Sequence, residues 1–255
     1  MALLSFDRYG ETGGLPLVIA HGLFGSGRNW RAVAKALARE RPVLAVDMRN
    51  HGASFHAASH AYADLAADLA EMIAAEGGRA QVLGHSMGGK AAMVLALTAP
   101  ERVERLVVAD IAPVGYDHSH AQSIEAMRAV DLGRVRSRGE AEAQMAPYVA
   151  DAAQRGFLLQ SLVLGQGGPR WMFNLDVLDG SMEALVGFPA IGGRFDGPVL
   201  FLSGARSDYV LPEYHQGIRA LFPAAEFEVL EGAGHWLHAD RPRAFIAAAE
   251  RFLAR

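Results

Sequence analysis

The sequence predicts an α/β architecture: a doubly wound, mostly parallel sheet with an inserted helical cap. Three observations carry that expectation. Short apolar runs alternate with helical patterns of 10 to 15 residues. The runs are continuously apolar rather than alternating, as a sheet buried on both faces requires. The rhythm also lapses once, over residues 114 to 195, for longer than an ordinary connection.

Taken in order, "PLVIAH" (16–21) reads as a first apolar strand, and "NWRAVAKALARE" (29–40) as a helix with Trp30, Val33, Ala34 and Leu37 on one face. "PVLAVD" (42–47) is a second strand, followed by an alanine-rich helix over 63–78 that Gly77 and Gly78 stop. "AQVLG" (80–84) is a strand, and Ser86 to Ala99 a helix closed by Pro100. "RLVVAD" (105–110) is a strand ended by Pro113. Inside the interruption lie helical pieces at 120–132 and 141–153, and the aromatic-rich "RWMFNLDVL". The alternation resumes with "PVLFLS" (198–203), a helix over 213–222, "EFEVLEG" (226–232) and a closing helix over 242–255. The expected organisation is therefore a core of residues 1–113 and 196–255, with 114–195 as the cap.

The composition is that of a globular chain with a substantial core: 255 residues, 51% hydrophobic, 20% charged and a formal charge of -4. That balance argues against nucleic acid and against an anionic membrane surface as partners. With no cysteine, disulfide and thiolate chemistry are excluded. The N-terminal "MALLSFDRYG" lacks a signal-peptide apolar region, and no apolar stretch is long enough for a spanning helix, so a cytoplasmic location is expected. The sequence leaves the oligomeric state open.

The chemistry centres on "LGHSMGGKAAM" (83–93). Gly84, Ser86 and Gly88 fit G-x-S-x-G, set between a strand and a helix. A turn that sharp crowds the backbone two residues either side of the serine, which glycine tolerates. It lifts the Ser86 hydroxyl above the strand ends, with the helix N-terminus behind it. A nucleophilic serine needs an oxyanion hole. The Met87 N–H follows the nucleophile directly, and "HGLFGS" (21–26) supplies a second donor, Leu23, with Phe24 the next choice. It also needs a base. His235, in "GAGHWLHADRP" between the last strand and the last helix, is best placed; His238 reads as structural or pocket-lining. His21 and His85 read as loop-orienting residues, and Asp47 as a tie for its own loop. His118 and His120 read as solvated surface, so neither a metal nor another cofactor is expected. Two carboxylates at strand ends preserve the order Ser, Asp, His: Asp110 and Asp208. Phe24, Trp171, Phe173 and Trp236 are the expected substrate-binding side chains, with Met172 and Phe188 beside them.

Together "HGLFGS", "DMRNHGAS", "GHSMGGKAAM", "DIAPV" and "GAGHWLHADRP" resemble the α/β-hydrolase superfamily over nearly the whole chain. They are most similar to its YbfF-like and ABHD11-like esterase branch. The resemblance implies a serine hydrolase acting on ester or thioester bonds of small to medium acyl groups, with no cofactor, and carries over Ser86 as nucleophile and His235 as base. Many members place the acid three residues after a glycine behind the penultimate strand. Here that position, counted from Gly204, is Ser207, and Asp208 comes one later. In the YbfF-like branch the aspartate of "DIAPV" serves instead, so the resemblance implies Asp110 as the acid and Asp208 as the alternative. Haloalkane and epoxide chemistry would need a carboxylate where Ser86 stands. Carbon–carbon hydrolysis, lactonase or perhydrolase activity, or a ligand receptor on this scaffold, are the competing readings.

Overall fold

A computed structural model describes residues 2–11, 13–117 and 119–255. In chain order the elements begin with β1 (Phe6–Tyr9), β2 (Leu17–Ala20), α1 (Arg31–Leu37), β3 (Val43–Val46), α2 (Tyr62–Ala75), β4 (Ala80–His85), α3 (Met87–Thr98) and β5 (Val103–Ala109). Next come α4 (Ala121–Arg128), α5 (Arg138–Met145), α6 (Ala152–Leu159), the strands β6 (Leu162–Gly165) and β7 (Gly168–Trp171), α7 (Leu175–Gly180) and α8 (Met182–Val186). The chain closes with β8 (Val199–Gly204), α9 (His215–Leu221), β9 (Ala225–Leu230), α10 (Leu237–Asp240) and α11 (Pro242–Leu253).

Seven strands form one sheet in the order β1-β3-β2-β4-β5-β8-β9. All pairs are parallel except β1 with β3. The four-residue strands β2 and β3 and the six-residue strands β4 and β8 are buried at every position, which is why they read as largely apolar runs. Their side chains feed two clusters. Leu17, Ile19, Leu83 and Val107 face α1 and α11, while Val18, Leu44, Val82 and Val108 face α2 and α3. In α11 the buried Phe245, Ala248, Ala249 and Phe252 fall at helical spacing along one stripe. Burying each of those phenylalanines contributes about 1.5–3 kcal/mol.

Residues 114–195 enter between the parallel neighbours β5 and β8 and pack around a cluster of their own, which includes Ile124, Met145, Leu162 and Trp171 and recruits Phe24. Two expectations change here. The piece over 141–153 is two helices, because Pro147 cannot continue α5 and Asp151 caps α6 through Ala153 N. The aromatic-rich stretch follows an antiparallel hairpin, β6 with β7, that turns over Gly165 to Gly168 and ends at Trp171. The 114–195 segment is also not isolated from the sheet, since Leu185 and Phe195 pack into the main core.

Candidate active site

The loops that leave β2, β4, β5, β8 and β9 all start at the C-terminal edge of the sheet, the edge where ligands bind in open α/β folds. Ser86 follows β4 with φ 51° and ψ -119°, outside the regions a non-glycine residue normally occupies. Its N–H donates to Ala109 O at 3.1 Å, and its carbonyl accepts from Lys90 N at 3.0 Å. The flanking glycines are sterically required. A Cβ on Gly84 would sit 2.3 Å from Gly88 O, and one on Gly88 would sit 2.4 Å from Ala20 O. Only four non-glycine residues among those described have positive φ: Phe24, Asn50, Ser86 and Asp110. Three of them are site candidates, and strain of about 1–3 kcal/mol each persists only where the surroundings enforce it.

Asp110 is fully buried with φ 53°. Its Oδ1 accepts from Gly204 N at 3.0 Å. Its Oδ2 lies 2.7 Å from His235 Nδ1 and accepts from Ser207 Oγ at 2.5 Å. The carboxylate beside the imidazole is therefore that of Asp110, while Asp208 is exposed. Ser207, three residues after Gly204, thus donates to the same carboxylate oxygen that faces the imidazole. On its other face the His235 ring stacks on Tyr209, centroids 4.1 Å apart.

Ser86 and His235 share a cavity of about 260 Å³. Of the expected binding side chains, Phe24 and Trp236 line it. Trp171 and Phe173 do not: both are buried in the 114–195 cluster. Trp171 Nε1 donates to Met127 O at 3.0 Å, and Phe173 packs between Phe24 and His51. Their bulk went into holding that segment together. The aromatic and aliphatic lining comes instead from Phe157 and Leu158 of α6, with Tyr209 and Trp30. His120, read as solvated surface, is in the cavity wall; His118 lies outside the described residues. His238 also lines the cavity, stacked on Trp30 at 4.1 Å. No cluster of three or more metal-ligating side chains occurs among the described residues.

A layer of neutral histidines supports the loop 21–26. His21 Nδ1–H donates to Gly22 O and its Nε2 accepts from Met48 N. His51 Nδ1–H donates to Arg49 O, and its Nε2 accepts from Phe24 N at 3.3 Å. His60 Nδ1 accepts from Asn50 Nδ2, which turns its Nε2–H toward the Met87 sulfur at 3.3 Å. His85 Nε2–H donates to His235 O at 2.9 Å. Burial lowers the pKa of His21 to about 4 and of His51 and His60 to about 3, and holds His85 well below its usual value. Asp47 accepts from Gly27 N at 2.7 Å and Ala53 N at 2.8 Å, so it ties its own loop to the end of 21–27.

Comparison with known proteins fits this geometry. Residues 16–242 match the family model described as alpha/beta hydrolase fold. The chain is 42% identical to the sn-1-specific diacylglycerol lipase ABHD11 of Mus musculus, over 98% of this chain and 85% of that protein. It is 39% identical to esterase YbfF of Escherichia coli (strain K12), over 93% of this chain and 92% of that protein. A solved marine microorganism esterase superposes with a TM-score of 0.94 at 38% identity, covering 99% of this chain and 100% of the other. Among the described residues no helix is long and apolar enough to cross a membrane. From its strained serine elbow to its parallel sheet, the chain belongs to the α/β-hydrolase family.

Proposed function

We propose that this protein is a cytoplasmic serine esterase that hydrolyses small to medium acyl esters through an acyl-enzyme. The observation that carries this reading is the conjunction of a strained Ser86 elbow and an His235–Asp110 pair, 2.7 Å apart, on one cavity. Ser86 Oγ attacks the ester carbonyl as His235 takes its proton. Asp110 holds Nδ1–H and stabilises the imidazolium. His235 then protonates the leaving alcohol and activates water for deacylation.

Met87 N–H and Leu23 N–H are the proposed oxyanion donors. Phe24 N–H already donates to His51 and Gly25 N–H to Gly22 O, which favours Leu23 within the loop. Residues 114–195 act as the cap, since Ser123, Phe157 and Leu158 line the same cavity as Ser86. At about 260 Å³ the cavity lies just below the ~300–1,000 Å³ usual for small-molecule sites, which suits short acyl groups.

A p-nitrophenyl acyl series from acetate to palmitate, with an acyl thioester and a long-chain diacylglycerol alongside, tests the substrate range. Turnover highest on short chains supports the reading. Turnover confined to diacylglycerol would overturn the size argument. Ser86→Ala is expected to abolish turnover and fluorophosphonate labelling, and retained activity would overturn the mechanism.

A further inference from the structure

The His235–Asp110 pair is braced by a phenol outside the residues considered so far. The Tyr116 hydroxyl accepts from Ala112 N at 2.8 Å and donates to Tyr209 O at 2.7 Å. Ala112 is two residues beyond Asp110, and Tyr209 two beyond Ser207. One hydroxyl thus pins together the two loops that deliver the carboxylate and its Ser207 partner. Tyr209 completes the circuit: its ring stacks on His235, and its N–H donates to Ser207 Oγ at 3.4 Å. Burial raises Tyr116 far above the usual tyrosine range, so the hydroxyl keeps its proton at any working pH.

Tyr116 is itself fixed from behind. Its N–H donates to Val186 O at 3.1 Å, and Lys90 Nζ lies 4.8 Å from its ring centroid. Lys90 Nζ also donates to Val186 O at 2.9 Å and Gly187 O at 2.5 Å. Lys90 is 1% exposed, and among the described residues its Nζ forms no ion pair with a carboxylate. It sits one turn along α3 from Ser86, to whose carbonyl its N–H donates. Burying an ammonium against carbonyls and rings is expensive, and burial lowers its pKa to about 7. Plain packing at these two positions would be met by Phe and Met.

We propose that Tyr116 is a positioning residue for the His235–Asp110 pair, and that Lys90 fixes Tyr116 to the Ser86 helix and to the 186–187 stretch, keeping acid, base and nucleophile in register. The inference rests on the esterase reading.

The test is Tyr116→Phe, which removes the hydroxyl and keeps the ring, assayed on p-nitrophenyl butyrate with active sites titrated by a fluorophosphonate. Titration counts folded, competent enzyme, so a simple loss of folded fraction drops out. The expected result is a fall of about tenfold to a hundredfold in kcat per titrated site. KM should stay within about twofold, and the labelling rate should fall in parallel. An unchanged kcat per site overturns the proposal, whatever happens to Tm. Lys90→Met supplies the second arm. The double variant should lose no more than about the larger single loss, because both act through one hydroxyl. Losses that multiply would overturn the coupling. Ser86→Ala separates the two levels: if it still turns over ester, the esterase reading fails, whereas a silent Tyr116→Phe on a Ser86-dependent enzyme removes only this inference.

Discussion

Mild acid should destabilise this protein well before its carboxylates titrate. His21, His51, His60 and His238 are held neutral by burial, with pKa values of about 4, 3, 3 and 4 against an ordinary 6.5. The unfolded chain therefore binds protons that the folded chain refuses, and stability falls as pH drops below about 6.5 until the folded values are reached. At pH 5.5 each ring is about 90% protonated when unfolded and nearly neutral when folded. Each then forfeits about 1.4 kcal/mol between pH 7.5 and 5.5, and the four together about 5–6 kcal/mol. His85, lowered for the same reason, adds in the same direction. A typical domain has only about 5–15 kcal/mol in total. At roughly 2–4 °C per kcal/mol for a chain of this size, Tm should fall by about 10–20 °C. Thermal unfolding followed by circular dichroism across pH 7.5 to 5.5 measures this directly, and proton uptake on urea unfolding at pH 5.5 gives the stoichiometry. A Tm constant to within about 3 °C over that window would refute the reasoning.

Three further outcomes are expected. Asp110→Asn should lower kcat by about 10³–10⁴-fold, as loss of the tautomer-holding acid does in a serine triad, whereas Asp208→Asn should stay within about twofold; steady-state kinetics on both variants decides between the two carboxylates. Ser207→Ala removes one charge-assisted hydrogen bond to Asp110, and chemical denaturation should show a loss of about 1.5–3 kcal/mol, with Asp110 still buried. Phe157→Ala should widen the cavity at its α6 wall and move the acyl-chain optimum to longer p-nitrophenyl esters, while Trp171→Ala should cost about 3–5 kcal/mol of stability without such a shift.

Much of this was legible in the sequence because it follows from burial and backbone geometry. Strands β2, β3, β4 and β8 announced themselves as largely apolar runs because both of their faces are covered, whereas β9, "AEFEVL", lies at the sheet edge and alternates charged with apolar residues. β1 did not announce itself: "FDRY" is a half-exposed edge strand held to β3 by backbone bonds, and it carries no such run. The hairpin of β6 and β7 had a signal in "GQGG", whose Gly167 and Gly168 take positive φ, but it was masked by the helical context around it. Trp171 and Phe173 show the limit of reading aromatics by type, because composition does not say which wall a ring faces. The serine elbow was readable from its two glycines. The acid was readable only as a choice between Asp110 and Asp208, since which carboxylate lies beside the imidazole depends on how distant loops meet in three dimensions. Tyr116 and Lys90 belonged to no chemical pattern, and their roles emerge only when distant loops meet.

The packing of Leu185 and Phe195 into the main core bears on how this scaffold could be re-engineered. The segment 114–195, which contributes Ser123, Phe157 and Leu158 to the cavity lining, is not a detachable module, because its final stretch is also part of the foundation. Tyr62 Oη donates to Leu185 O at 2.7 Å, and Phe195 N donates to Leu221 O at 2.9 Å, so that stretch is sewn to α2 and α9. A chimera that exchanged all of 114–195 would tear two side chains out of the sheet's own interior. One that exchanged only α4 through α7 would leave that foundation whole and keep Tyr116 in place.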